Sequence, residues 1–335
     1  MFIRGKIMLF QKIDFHNVEE MVKTEKGYCM SRFPQHVREK LNPGVRELSA
    51  FYCTGVELRF KLRSEKAVII LRSAMCVEAQ VAYIYYGSIQ GGWENSSRVI
   101  LTEDTPITVT RPENMEQLKE ITARHNLPFS PEVIRIVLPY NKCYFVGIEG
   151  DIEPPLDSEM PQKTYLAYGS SITHGSLALA APYSYPFQIA QRLGCDYLNK
   201  GVAGSAQLER PMAEYLMSRK DWTFASLELG INMIKDEFTT ELFEARVRDF
   251  LDVMKGDNRK IFVTSIFGYN EVAQEKAHQY RKIVEKYASE SFLYTDGLEL
   301  LNYPPYISQD LVHPSTEGIA EIVSEWLCVM KEYVS

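Results

Sequence analysis

The first 150 residues are dominated by short alternating runs of apolar and polar side chains. Residues 56–62 (VELRFKL) and 77–87 repeat with period two, which predicts half-buried strands. Apolar runs at 67–72, 98–101, 107–110, 134–139 and 143–148 predict further strands between turn residues. Helical spacing shows in one insert, 113–125. Many short strands in series predict a β-sandwich or jelly roll. The acidic, proline-rich stretch 151–162 then reads as a linker.

Beyond it the pattern changes. Strand-like runs at 165–168, 197–199, 224–229, 260–266 and 292–295 alternate with amphipathic stretches near 184–193, 207–219, 240–255, 271–288 and 316–333. That order predicts a parallel sheet covered by helices on both faces, an α/β/α arrangement with its site at the carboxyl ends of the strands. A length of 335 residues fits two domains, divided as 1–150, a 151–162 linker and 163–335.

Composition narrows the partners. With 37 basic and 44 acidic residues the net charge is −7, which disfavours nucleic acid and anionic membrane surfaces. No run approaches a membrane span, and the first ten residues lack the apolar core of a signal peptide. Cys29, Cys53, Cys76, Cys143, Cys195 and Cys328 form no metal-spaced pair, so free thiols in a reducing cytoplasm are expected, without zinc. His16, His36, His125 and His278 show no ligand spacing either, and no metal or other cofactor is expected.

The chemistry concentrates in two short stretches. Gly169-Ser170-Ser171-Ile172-Thr173-His174-Gly175 follows a strand-like run, and Asp310-Leu311-Val312-His313-Pro314 lies near the other end of the region. A serine on a turn after a strand, with an Asp and a His three residues apart, is the material of a Ser-His-Asp hydrolase. Ser171, Gly204 and Asn232 each come just after a strand, on one rim of the expected sheet. Pro314 suits the first position of the last helix.

Together with Asn199-Lys200-Gly201-Val202-Ala203-Gly204 and Gly230-Ile231-Asn232, these blocks resemble the SGNH (GDSL-type) hydrolase superfamily, in its order, across the C-terminal half. The resemblance implies Ser171 as nucleophile, His313 as base and Asp310 as the group orienting it. It also implies an oxyanion hole from the N–H groups of Ser171 and Gly204 and the amide of Asn232. Two positions depart from the usual pattern. Ser170 stands where an Asp is common, which makes it a rival nucleophile, and Met233 stands where an acid often follows the Asn. The β-rich first half resembles the subgroup with a sandwich or jelly-roll domain in front.

Each of these residues has a plainer reading. Ser171 and His313 could be helix caps, Asn232 and Gly204 turn residues, and Gly201 a structural glycine. His174 is close in sequence to Ser171 but is expected to line the pocket or first helical turn rather than act as base. Glu228 is expected inside a strand, with no assigned role. Tyr83, Tyr85, Tyr86 and Trp93 could form a sugar-stacking platform, or simply pack across strands. The combined expectation is an esterase that cleaves a small acyl group, acetyl first, from a small-molecule or carbohydrate ester. An acyltransferase using the same acyl-enzyme and a carbohydrate-binding protein without catalysis are the alternatives. The oligomeric state is left open.

Overall fold

A computed structural model describes residues 8–74, 80–93, 97–256, 258–270 and 273–334. Cys76 and the start of the expected 77–87 strand lie outside them, as do the first two residues of the 271–288 stretch. The first half is two antiparallel sheets packed face to face. One follows the order Leu9–Phe10, Ile13–His16, Glu57–Leu62, Ile134–Val137, Gln80–Tyr86 and Ile89–Gln90. The other follows Asp104–Thr110, Lys66–Ser73, Cys143–Glu149, Gly27–Ser31 and Glu20–Thr24. Alternate residues point inward: Leu58, Phe60, Ile84 and Ile136 of the first meet Ile69, Leu71, Ile107 and Phe145 of the second.

The second half is a five-stranded parallel sheet in the order Asp196–Asn199, Thr164–Tyr168, Phe224–Glu228, Lys260–Thr264, Leu293–Thr295. Its strands are buried on both faces. Leu166, Leu198, Leu227 and Val263 face the helices Arg210–Ser218, Thr240–Met254 and Gln274–Ala288, whereas Tyr165, Tyr197, Phe224 and Phe262 face Tyr185–Leu193 and Thr316–Val334. The period of two thus sorts one strand's side chains into two cores.

The two halves are closely joined. Ile152–Glu153, in the stretch read as a linker, pairs with the strand Glu57–Leu62, and Ile152 is buried. Across the junction Arg59 makes two 2.7 Å bonds to Asp196, and Glu57 bonds both Arg59 at 2.8 Å and Arg135 at 2.6 Å. Phe33, Val37, Leu41, Val45 and Ala50 belong to the same apolar cluster as the Arg210–Ser218 helix. Tyr83 and Tyr85 pack against Tyr183 and Phe187, at centroid distances of 6.3 and 5.9 Å. Of the two readings of these aromatics, packing holds for the tyrosines: Tyr83, Tyr85 and Tyr86 are buried, and only Trp93 of the four is exposed. The C-terminal half covers Tyr83 and Tyr85 on the sheet's outer face, whereas Tyr86 packs in the core between the two sheets.

Candidate active site

The strand Thr164–Tyr168 ends at Gly169, where a Cβ would stand 2.2 Å from Thr173 Oγ1 and 2.5 Å from Glu228 Oε2. Only glycine fits there. Ser170 is buried and caps the short helix Ser171–His174, its hydroxyl accepting the Ile172 N–H at 3.1 Å. That bond turns Ser170 away from the surface, and Ser171 follows it half-buried.

Ser171 Oγ lies 2.7 Å from His313 Nε2, and His313 Nδ1 lies 2.6 Å from Asp310 Oδ2. Asp310 Oδ1 accepts from the Ser308 hydroxyl at 2.7 Å and from the N–H groups of Val312 and His313 at 3.0 and 2.9 Å. Burial alone would raise the Asp310 pKa. These N–H donors, the imidazole and the Ser308 hydroxyl outweigh it and hold the carboxyl well below the usual carboxylate range. One carboxylate thus shapes the turn with one oxygen and holds the imidazole with the other.

Pro314 does not open the last helix as expected. It forms a β-bridge with Ile307, and the helix begins at Thr316 with Ser315 Oγ accepting the Gly318 N–H at 3.2 Å. Ser315 offers the capping oxygen that proline lacks.

Gly204 takes a left-handed backbone (φ +67°) on an exposed turn with open space where a Cβ would stand. Gly201, by contrast, is wedged against the serine helix, since a Cβ there would come 2.4 Å from His174 N. Asn232 Oδ1 accepts the Ala206 N–H at 3.0 Å, which fixes the side chain with its NH₂ as the remaining donor end. Met233 is fully buried; its carbonyl accepts the Tyr280 hydroxyl at 2.9 Å and its N–H donates to Gly230 O at 2.9 Å.

His174 is fully buried, and its Nδ1 lies 2.9 Å from Gly201 O. Burial and then the nearby Arg32 charge hold its pKa well below the ordinary value, so it is neutral. It ends the short helix Ser171–His174, the first-turn place expected of it, with its ring buried inside the fold.

Two residues have contacts that sequence reasoning did not assign. Glu228 is buried, and its Oε2 accepts the Ser170 N–H at 2.7 Å and the Thr173 hydroxyl at 3.0 Å, while Oε1 has no hydrogen-bond partner among the described residues. Burial raises its pKa, an effect these bonds only partly offset. An acid ending the apolar strand FASLE was the available signal. Arg32 carried none, because its partners lie far along the chain. A cavity of about 480 Å³ opens beside the serine helix, between Gly175, Ser176 and Leu177 on one side and Thr54, Tyr140 and Asn141 on the other. Among the described residues no cluster of His, Cys, Asp or Glu is arranged to hold a metal ion, and no helix is long and apolar enough to cross a membrane.

A three-layer α/β/α domain with Ser171, His313 and Asp310 in line at its rim has the form of an SGNH hydrolase domain. Residues 167–320 match the sequence model of the GDSL-like Lipase/Acylhydrolase family, which marks this stretch as a GDSL-like domain. No curated protein matches the chain. Among solved structures it is similar to the salicylyl-acyltransferase SsfX3 from a tetracycline biosynthetic pathway, with a TM-score of 0.75, 15% identity, and coverage of 98% of this chain and 97% of that one. It is also similar to a putative GDSL-like lipase from Bacteroides ovatus ATCC 8483, with a TM-score of 0.69, 16% identity and 96% of each chain covered. A family two carbohydrate esterase from Clostridium thermocellum shares the fold more distantly, with a TM-score of 0.56, 11% identity, and 83% of this chain and 91% of that one covered. At these identities the likeness is one of fold, and in the first two it spans both halves.

Proposed function

We propose that the protein is a serine esterase acting through an acyl-enzyme on Ser171. The observation that carries this reading is the unbroken chain from Ser171 Oγ to His313 Nε2 at 2.7 Å and from His313 Nδ1 to Asp310 Oδ2 at 2.6 Å. A serine hydroxyl attacks an ester only when a base takes its proton as the bond forms. His313 Nε2 takes that proton while Ser171 Oγ bonds to the carbonyl carbon. The oxyanion is received by the N–H groups of Ser171 and Gly204 and the NH₂ of Asn232. His313 then protonates the departing alcohol. Water, deprotonated by the same nitrogen, releases the acid and returns the proton to Ser171. Asp310, ionised throughout, holds Nδ1–H and balances the imidazolium.

The catalytic unit in this reading is 163–335, with 1–150 as a packed partner and 151–162 joining them. The acyl group is small, acetyl first, and the alcohol is a small molecule or carbohydrate. The carbohydrate esterase of the same fold supports that choice of substrate. A second reading, transfer of the acyl group to an alcohol, draws support from the acyltransferase that shares both halves. A purely carbohydrate-binding role is disfavoured, because the tyrosines that would have stacked a sugar are buried.

Labelling with a fluorophosphonate, read by intact mass and peptide mapping, tests the proposal. A single adduct on Ser171, strongly slowed in His313→Ala, is expected. No adduct on folded protein overturns it. Product analysis with acceptor alcohols then separates hydrolysis from transfer.

A further inference from the structure

The turn that carries Gly204 is held at both ends by the β-rich half of the molecule. At its start stands Arg32, fully buried and, among the described residues, without a carboxylate partner. Its guanidinium donates to Asn199 O at 2.8 Å and Gly201 O at 2.9 Å on the turn, and to Ser49 O at 2.6 Å and Tyr52 O at 2.9 Å on its own segment. Burial pulls its pKa down to about 10, which still leaves it charged at neutral pH. Lys200, within the turn block, returns a bond from Nζ to Arg32 O at 2.6 Å.

At the far end stands Asn42. Its Nδ2 donates to Ser205 O at 2.9 Å and to Glu209 Oε1 at 2.8 Å, and its own N–H donates to the same Glu209 oxygen at 2.8 Å. Gly44 presses against the same place, for a Cβ there would stand 2.1 Å from Ser205 Oγ. Leu41 and Val45, flanking Asn42 and Gly44, sit in the apolar cluster with Leu208 and Met212 just beyond the turn.

Between the two clamps Val202 N–H bonds Gly169 O at 2.9 Å and Ser205 N–H bonds Val202 O at 3.0 Å, so the turn is anchored on either side of Gly204. Gly204 itself is exposed in a left-handed conformation, and its position depends on how firmly the buried residues on either side of it are held. An oxyanion donor works only if its N–H is fixed before the charge develops. We infer that Arg32 and Asn42 are positioning residues which fix the Gly204 turn from outside the catalytic domain, so that the β-rich half completes the oxyanion hole. This rests on the esterase reading. It gives the first half a mechanical role in catalysis instead of an accessory one.

The test uses the full chain and two variants, Arg32→Met and Asn42→Asp. The first removes the donors to Asn199 O and Gly201 O. The second nearly keeps the side chain's shape but turns a carboxylate oxygen toward Ser205 O and Glu209. The readouts are the rate of fluorophosphonate labelling at Ser171, the affinity for phenylboronic acid, which forms a tetrahedral adduct on an activated serine, and the unfolding midpoint. Displacing a donor instead of deleting it should slow labelling and weaken boronate binding together, by about tenfold or more. Loss of stability alone, with wild-type labelling rate and boronate affinity in the folded variants, overturns the inference. Should Arg32→Met not fold, Asn42→Asp, at a half-buried site, decides by the same criteria. Wild-type protein that is not labelled at all refutes the esterase reading first, and this inference with it.

Discussion

Replacing Asp310 by Asn separates the two tasks this carboxylate performs. Oδ1 is held by three donors, the Ser308 hydroxyl and the N–H groups of Val312 and His313. An asparagine would keep its only oxygen there, because turning the amide over would set its NH₂ against three donors. Its NH₂ would then face His313 Nδ1 and force the proton to Nε2, the atom that must accept the serine proton. Two costs follow. Once His313 is protonated, a carboxylate with its charge about 4 Å away contributes about 4 kcal/mol at an effective dielectric near 20. The Asp310 side chain is 41% exposed, so water screens part of this, leaving about 3 kcal/mol. Restoring the correct tautomer against the amide adds about 1 kcal/mol, the worth of an ordinary hydrogen bond. The total of about 4 kcal/mol corresponds to a fall in kcat of about 1000-fold. The turn bonds survive, so the unfolding midpoint should move little. Saturating rates on an ester that wild type hydrolyses, with thermal unfolding alongside, measure both. An Asp310→Asn enzyme keeping more than about a tenth of wild-type kcat, one decade lost against three, would refute this account of the imidazole.

Further outcomes follow from the same contacts. Ser170→Ala should leave fluorophosphonate labelling at Ser171 and cost about 1 kcal/mol in denaturant unfolding, the worth of one helix cap; an adduct on Ser170 in wild type would reverse the assignment of nucleophile. Arg59→Met strands Asp196 in the junction between the halves and should destabilise by about 3–5 kcal/mol in the same assay, with part of the loss recovered on adding Asp196→Leu. Burial would raise the Glu57 pKa, but Arg135 and Arg59 pull it down to about 2, and Arg59 and His16 hold Asp196 lower still. Their stabilisation is complete above the unfolded carboxylate pKa of about 4 and is lost as pH falls through about 2, so the midpoint should drop steeply in that window and less so in the Arg59→Met, Asp196→Leu double variant. Glu228 has the opposite sign: its pKa is raised in the fold, so its protonated form is favoured at low pH and ionisation costs stability as pH rises. Glu228→Gln should therefore gain on wild type between pH 4 and pH 8, and a stability gap independent of pH would show that Glu228 does not titrate in that window.

The elements that the sequence made legible are those whose signal is local. The parallel sheet could be read from runs such as Tyr165–Tyr168, because burial on both faces leaves a continuous apolar stretch, and the site blocks could be read because each sits directly after such a run. The strands Ile13–His16 and Gly27–Ser31 were not expected, and the helix Arg210–Ser218 starts later than the 207–219 pattern placed it. Polar residues in and beside the early strands obscure their pattern. Asp14, Asn17 and Arg32 are all buried. Asn17 Nδ2 donates to Asn199 O at 3.0 Å, and Arg32 donates to the same oxygen. In isolation such side chains argue against a core. Asn17 and Arg32 are tolerated here because the Asn199 carbonyl that accepts from both arrives from more than 160 residues away.

The tyrosines of Gln80–Tyr86 were left between two readings for the same reason, since exposure depends on what covers a sheet and no local pattern encodes it; they take the packing one. Glu228 lies between the two cases: its strand was legible, but an acid in a core is interpretable only once the Ser170 N–H it binds is known. The residues joining the halves are therefore the ones a motif search passes over, although two of them close on the turn beside the serine. A first half evolved merely to bind sugars would have no need to bury an arginine against the carbonyls of another domain's loop. Desolvating that charge is costly unless every donor is used, and Arg32 spreads its donors over four carbonyls, two of them in the Gly204 turn. That use of a buried cation is more readily explained if the position of the turn matters to the chemistry beside it.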